Sequence, residues 1–94
     1  MEFETFSRSL QNPLPPGDTS IYLQAMWYDA NGHWDKAHDI VAELHDRKAC
    51  LVHAYLHRKE GDLGNAAYWY SRASKEVPAV SLEQEWEGIT KSLL

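Results

Sequence analysis

The chain has 94 residues, enough for one small domain with a modest hydrophobic core. Its formal net charge of −5 argues against general nucleic-acid binding, because nucleic acids select basic surfaces. Cys50 is the single cysteine, so an internal disulfide and a cysteine-based metal cage are both excluded.

The N-terminal residues do not resemble a targeting segment. Met1-Glu2-Phe3-Glu4 is acidic where a signal peptide would be basic. No apolar run approaches the roughly 20 residues that a membrane span needs. We therefore expect a cytoplasmic protein that does not act at a membrane.

Helical periodicity runs through the first half of the chain. We predict helices over residues 2–10, from about 19 to 30, and over 34–45, because apolar residues recur there at helical spacing. Between the second and third helices, Asn31 and Gly32 form a turn, since both residues tolerate the positive φ that a helix end requires.

The second half begins with a pair of predicted helices. Asp46 can cap a helix over residues 47–60, and Gly61 stops it. The next helix covers residues 63–76, and Pro78 ends that section because proline cannot continue a helix.

A final helix is predicted over residues 81–93. Ser81 followed by Gln84 is a capping-box pattern, which is typical of a helix start. The narrow apolar stripe of this helix comprises Leu82, Trp86, Ile89 and Leu93. No alternation typical of strands appears, so the sequence predicts an all-α protein.

The residue spacing of the second half resembles that of the tetratricopeptide repeat, a family of stacked helix hairpins. The matching residues are Gly61, Asp62, Leu63, Ala66, Tyr70, Ala73 and Pro78. The first half resembles the family at Ala25, Tyr28, Gly32, Trp34 and Ala37. The run from Val52 to Asp62 also looks like small uncharacterised bacterial proteins of tetratricopeptide-like type.

The resemblance implies one domain over residues 1–94, built from two antiparallel hairpins. These cover about residues 19–45 and 47–76, between a short N-terminal helix and a capping helix over about 81–93. The chain departs from the family pattern at Cys50, His53 and His57, where apolar or aromatic residues are preferred.

The resemblance further implies a concave groove lined by the first helix of each hairpin. The residues that it assigns to this groove, which we call the implied groove set, are Tyr22, Met26, Asp29, Lys48, Leu51, Tyr55, Arg58 and Lys59. We expect the groove to bind a protein or peptide. Arg58 and Lys59 would favour an acidic group through charge-assisted hydrogen bonds, although ordinary solvated charges are the simpler interpretation.

His53 and His57 are the alternative candidate site. They lie four residues apart, so both rings project from one side of a helix, a spacing that could hold zinc. A third ligand would have to come from His38, His33 or a carboxylate. Packing at the edge of the core is the simpler interpretation, and we assign no metal or cofactor. The alternative function is thus that of a small-molecule or metal-binding protein, a class that includes enzymes.

Aromatic residues exceed what a simple hairpin core requires. Tyr68 and Trp69 lie off the apolar stripe of their helix, so they either pack near Trp86 or remain exposed. If they remain exposed, these three residues could join two copies of the chain in a homo-oligomer. Phosphate-binding loops, nucleophile elbows and catalytic thiol motifs are missing, so the sequence assigns no catalytic residue.

Overall fold

The computed structural model describes all 94 residues, and its secondary structure is entirely helical. The prediction of an all-α protein is therefore confirmed. The six helices are α1 (Phe3–Ser9), α2 (Ile21–Ala30), α3 (Trp34–Val41), α4 (Arg47–Glu60), α5 (Leu63–Arg72) and α6 (Leu82–Leu93). None of them has both the length and the apolar character needed to cross a membrane.

Side-chain caps fix where most of these helices begin. The side chains of Ser20, Asp46 and Asp62 each accept a hydrogen bond from a backbone N–H in the first turn of the helix that follows. Ser81 and Gln84 form the complete capping box that the sequence predicts. Such caps satisfy backbone N–H groups that have no partner within the helix.

Two helices end about four residues earlier than the sequence predicts. Helix α3 stops at Val41 rather than 45, because Asp46 must adopt an extended conformation (φ −72°, ψ 161°) to cap α4. Helix α5 stops at Arg72 rather than 76. Ser74 has a left-handed φ of 58°, and Lys75 N–H donates to the Tyr70 carbonyl, which closes the helix end before Pro78 is reached.

The helices pack as two consecutive pairs. Helix α2 packs along α3, and α4 packs along α5. Helix α3 also contacts α4, which joins the pairs. The main core lies between them and includes the buried residues Ala25, Met26, Val41, Val52 and Leu56.

Helix α6 packs mainly across α2 and α4. The Trp86 indole N–H donates to the Met26 carbonyl at 3.1 Å, which ties α6 to α2. On its other side, Trp86 contacts the rings of Phe3 and Phe6 in α1, with ring centroids 6.0 and 6.3 Å away. Helix α6 therefore covers part of the helix faces that the tetratricopeptide resemblance assigns to the groove.

Candidate functional site

Three members of the implied groove set are inaccessible. Met26, Asp29 and Tyr55 have 0%, 1% and 2% of their surface exposed. Met26 and Tyr55 belong to the main core, and the packing of α6 across α2 and α4 was not predicted by sequence periodicity alone. A ligand can reach these three side chains only where the covering helices leave an opening.

Lys59 and Asp29 form an ion pair between α4 and α2. The Lys59 ammonium donates to both carboxylate oxygens of Asp29, at 3.1 and 3.2 Å. Burial, and then the charge and hydrogen bond of this carboxylate, raise the pKa of Tyr55. Lys59 therefore neutralises a buried carboxylate of its own chain, which opposes its predicted role in holding an acidic ligand.

Arg58 belongs to a second polar group, which we call the buried network, formed by Arg58, Tyr70 and Glu85. The guanidinium donates to the Glu85 carboxylate at 2.8 Å and also to the Val80 carbonyl. The Tyr70 hydroxyl donates to the other Glu85 oxygen at 2.6 Å. Burial and the bond to Glu85 raise the pKa of Tyr70. The network joins α4, α5 and α6, and Glu85 is the member that the sequence analysis missed.

The other three members of the implied groove set do not join this network. Lys48 is exposed, with its ammonium 5.9 Å from the centroid of the Tyr22 ring. Leu51 is half-buried and packs against the main core. The set is therefore divided between a covered part and an open part rather than forming one continuous groove.

An open pocket of about 560 Å³ remains between α1, α2, α4 and α6, and we call it the helical pocket. Asp29, Tyr55 and Lys59 of the implied groove set line it. Its apolar wall includes Phe3, Leu10, Leu82 and Trp86, and its polar lining includes Ser7, Glu83 and Glu87. The pocket thus combines an apolar surface with more carboxylates than cationic groups.

His53 and His57 lie beside His38, and we call these three residues the histidine triad. His38 comes from α3, and the other two lie one turn apart on α4. The Nε2 atoms of His38 and His53 are 3.1 Å apart. Nitrogen atoms from all three rings lie within 4.8 Å of one another. His53 and His57 are buried, whereas His38 is half-buried.

Aromatic rings enclose the histidine triad. Trp34 stacks on His38 at 4.9 Å between ring centroids, and Trp69 stacks on His53 at 4.0 Å. Burial, and then the neighbouring histidine rings, lower the pKa of His53 to about 4. His53 is therefore neutral at neutral pH, which is the form of imidazole that binds metals.

The polar contacts of the triad are unequal. His57 Nδ1 lies 2.6 Å from the Glu60 carboxylate, and its Nε2 lies 3.4 Å from the Asn65 amide. His53 Nδ1 is buried and has no hydrogen-bond partner. His53 therefore has one ring hydrogen bond, between its Nε2 and that of His38 at 3.1 Å, whereas both ring nitrogens of His57 have polar contacts.

The residues predicted to join two copies of the chain do not form one surface. Trp69 packs on His53, and Trp86 packs on α1 and α2. Tyr68 is 54% exposed and lies against Arg72. The homo-oligomer stays a prediction, and Tyr68 is the one residue of the three that is largely free for it.

We compared the chain with models of known protein families, with curated proteins and with solved structures, and found no match in any of the three. The functional assignment below is therefore based on the residues and their geometry.

Proposed function

We propose that this chain is a tetratricopeptide-like interaction module that binds a peptide segment of a partner protein in the helical pocket. The observation that carries this proposal is that Asp29, Tyr55 and Lys59, three residues of the implied groove set, line the pocket. The helical pocket would then be the part of the predicted groove that α1 and α6 leave open.

Packing within the second helix pair supports the tetratricopeptide-like interpretation. Gly61 has a left-handed φ of 90° in the turn between α4 and α5. Ala54 and Ala66 are buried against each other with Tyr70, which allows the two helices to approach closely. These are the roles that the family resemblance assigns to the glycine, the small residues and the aromatic residue.

The lining of the helical pocket favours a particular peptide chemistry. Of the three lining carboxylates, Asp29 is paired with Lys59 and Glu87 with Lys91, which leaves Glu83 as the carboxylate without an ion-pair partner. The Lys91 ammonium lies 5.1 Å from the centroid of the Phe3 ring, which shows that an aromatic ring of the pocket can be next to a cation. We therefore assign the pocket an apolar side chain next to a lysine or arginine, rather than an acidic peptide.

Selection from a random peptide library against the purified chain tests this assignment. We expect the selected peptides to be enriched in lysine or arginine beside an apolar residue. Ser7→Trp places a large ring in the pocket and should weaken their binding by about tenfold or more, because a filled pocket removes the buried anchor. Ser71→Trp is the matched control, since Ser71 is exposed on α5 and does not line the pocket.

Charge reversal at Glu83 tests whether the pocket prefers basic peptides, separately from whether peptides bind in the pocket at all. Glu83→Lys should weaken binding of the basic peptides, and Glu76→Lys, at an exposed residue that does not line the helical pocket, should not. Selection of acidic peptides, or peptides that bind the Ser7→Trp variant as tightly as the parent chain, would contradict the assignment.

A further inference from the structure

We propose that the histidine triad is a zinc-binding site that joins the two helix pairs. His38 would bind from α3, and His53 and His57 from α4. The triad shares no residue with the helical pocket, so this site is independent of peptide binding. Neutral imidazole is a ligand that suits zinc, and three such ligands leave a fourth position for water or a small ligand.

The distances within the triad fit a tetrahedral ion after a small adjustment. Zn–N bonds of about 2.0–2.1 Å at the tetrahedral angle place two ligand nitrogens about 3.3 Å apart. The Nε2 atoms of His38 and His53 are already 3.1 Å apart. One nitrogen from each of the three rings lies within 4.8 Å of the others, so side-chain shifts of up to about 1.5 Å would bring a His57 nitrogen into range.

Glu60 gives the triad a feature common around zinc. Its carboxylate accepts a hydrogen bond from His57 Nδ1 at 2.6 Å, which leaves Nε2 of that ring as the lone-pair nitrogen. Carboxylate partners of this kind orient metal-binding histidines and raise their basicity. The long 3.4 Å contact from the Asn65 amide to Nε2 is the one that zinc would displace.

Packing alone does not account for a histidine at position 53. Its ring lies between Trp69 and His38, where an aliphatic side chain would also be buried. The unpartnered Nδ1 atom of His53 makes burial of the imidazole unfavourable. Zinc bound at Nε2 would replace the 3.1 Å hydrogen bond between the His38 and His53 rings with two metal bonds, and the half-buried His38 provides the side from which an ion can enter.

Titration of the untagged chain with Zn²⁺ and Co²⁺ tests the site. We expect one ion per chain, and a Co²⁺ absorption spectrum typical of four-coordinate rather than six-coordinate metal. Co²⁺ should also quench tryptophan fluorescence, because Trp34 and Trp69 stack on His38 and His53. No stoichiometric binding, together with a melting temperature that neither zinc nor a chelator changes, would overturn the proposal.

Substitutions distinguish the triad from the other histidines. His38→Gln and His57→Gln should each weaken binding by about 100-fold or more, since each removes one of three ligands. His33→Gln and His45→Gln are matched controls at exposed histidines outside the triad and should bind as the parent chain does. Circular dichroism of His38→Gln establishes that the variant is folded, and retained binding by that folded variant would overturn the proposal.

Substitution of Glu60 distinguishes between two candidate sites for the ion. Glu60→Gln should weaken zinc binding by roughly 10- to 100-fold, the usual effect of losing a carboxylate behind a ligating histidine. An ion held instead by His57, Glu60 and Asp62 would lose its affinity with Glu60→Gln and keep it with His38→Gln. That result would place the metal on the exposed side of α4 and refute the triad.

Discussion

Replacing Glu85 with leucine should be among the most destabilising single substitutions in this chain. Glu85 is 7% exposed and accepts hydrogen bonds from Arg58 at 2.8 Å and from Tyr70 at 2.6 Å. Glu85→Leu removes both acceptors and leaves a mostly buried guanidinium without its counter-charge. Breaking a buried ion pair from one side costs about 3–5 kcal/mol.

We expect the lower part of that range for Glu85→Leu. The Arg58 side chain keeps 17% exposure and its bond to the Val80 carbonyl, so part of its charge stays solvated and paired. A loss of about 3 kcal/mol is large against a typical domain stability of about 5–15 kcal/mol. It should lower the melting temperature by roughly 12–24 °C in a domain of this size.

Urea unfolding, monitored by circular dichroism, measures the loss of unfolding free energy in Glu85→Leu. Lys91→Met is the matched control, because the Lys91–Glu87 pair is half exposed on the same helix and should contribute less than about 1 kcal/mol. Combining Arg58→Met with Glu85→Leu removes both charges and should recover part of the loss. A cost for Glu85→Leu equal to that of Lys91→Met, or no recovery in the double variant, would refute the buried network.

Three further predictions concern the second helix pair. Gly61→Ala should lower the free energy of unfolding by about 1 kcal/mol, because Gly61 has a φ of 90°, whereas Gly64→Ala within α5 should raise it by about 0.5–1 kcal/mol in the same urea experiment. Ala66→Leu should lower the free energy of unfolding by about 1–3 kcal/mol, because it overpacks a fully enclosed site. Ala67→Leu changes an exposed neighbour, and thermal melts should show almost no change in its stability. Tyr70 has a raised pKa in the folded chain, so its contribution to the free energy of unfolding is complete below pH 10. Above pH 10 that contribution declines by about 1.4 kcal/mol per pH unit. Tyr70→Phe should remove that part of the alkaline slope, and an unchanged slope between pH 10 and 11 would contradict it.

Local signals predicted the helices well. The starts of α4 and α5 follow from Asp46 and Asp62, whose side chains cap the helices whatever else the chain does. The end of α5 was harder to predict, because a serine rather than a glycine adopts the left-handed conformation at position 74. Serine gives little sequence signal for that conformation.

The covering of the implied groove set was not predictable from local patterns. It depends on where α6 packs, and a single amphipathic stripe does not say which helices it will meet. A usable signal was nevertheless present: Glu85 lies three residues after Leu82 and four before Ile89, so helical spacing puts its carboxylate on the apolar stripe. A carboxylate in that position must find an internal cation, and Arg58 is that cation.

The histidine triad was partly predicted. The spacing of His53 and His57 places both rings on one face of α4, and His38 was one of several candidates for a third position. The choice among those candidates depends on how α3 crosses α4, which is a tertiary property. Trp34 lies four residues before His38 on α3, so helical spacing connects it to the triad, whereas Trp69 comes from α5 and no spacing rule connects it.

The contact of Trp86 with Phe3 and Phe6 has a consequence for how the chain folds during synthesis. Arrays of helical repeats can form unit by unit, because each repeat contacts only its neighbours. Here Phe6 can already pack on Leu23 and Trp27 of α2, whereas Phe3 and Phe6 lack their contact with Trp86 until α6 has been made. Nascent chains halted before residue 82 should therefore leave Phe3 accessible while Phe6 already packs on α2, and the complete tertiary structure should form only after α6 has been made.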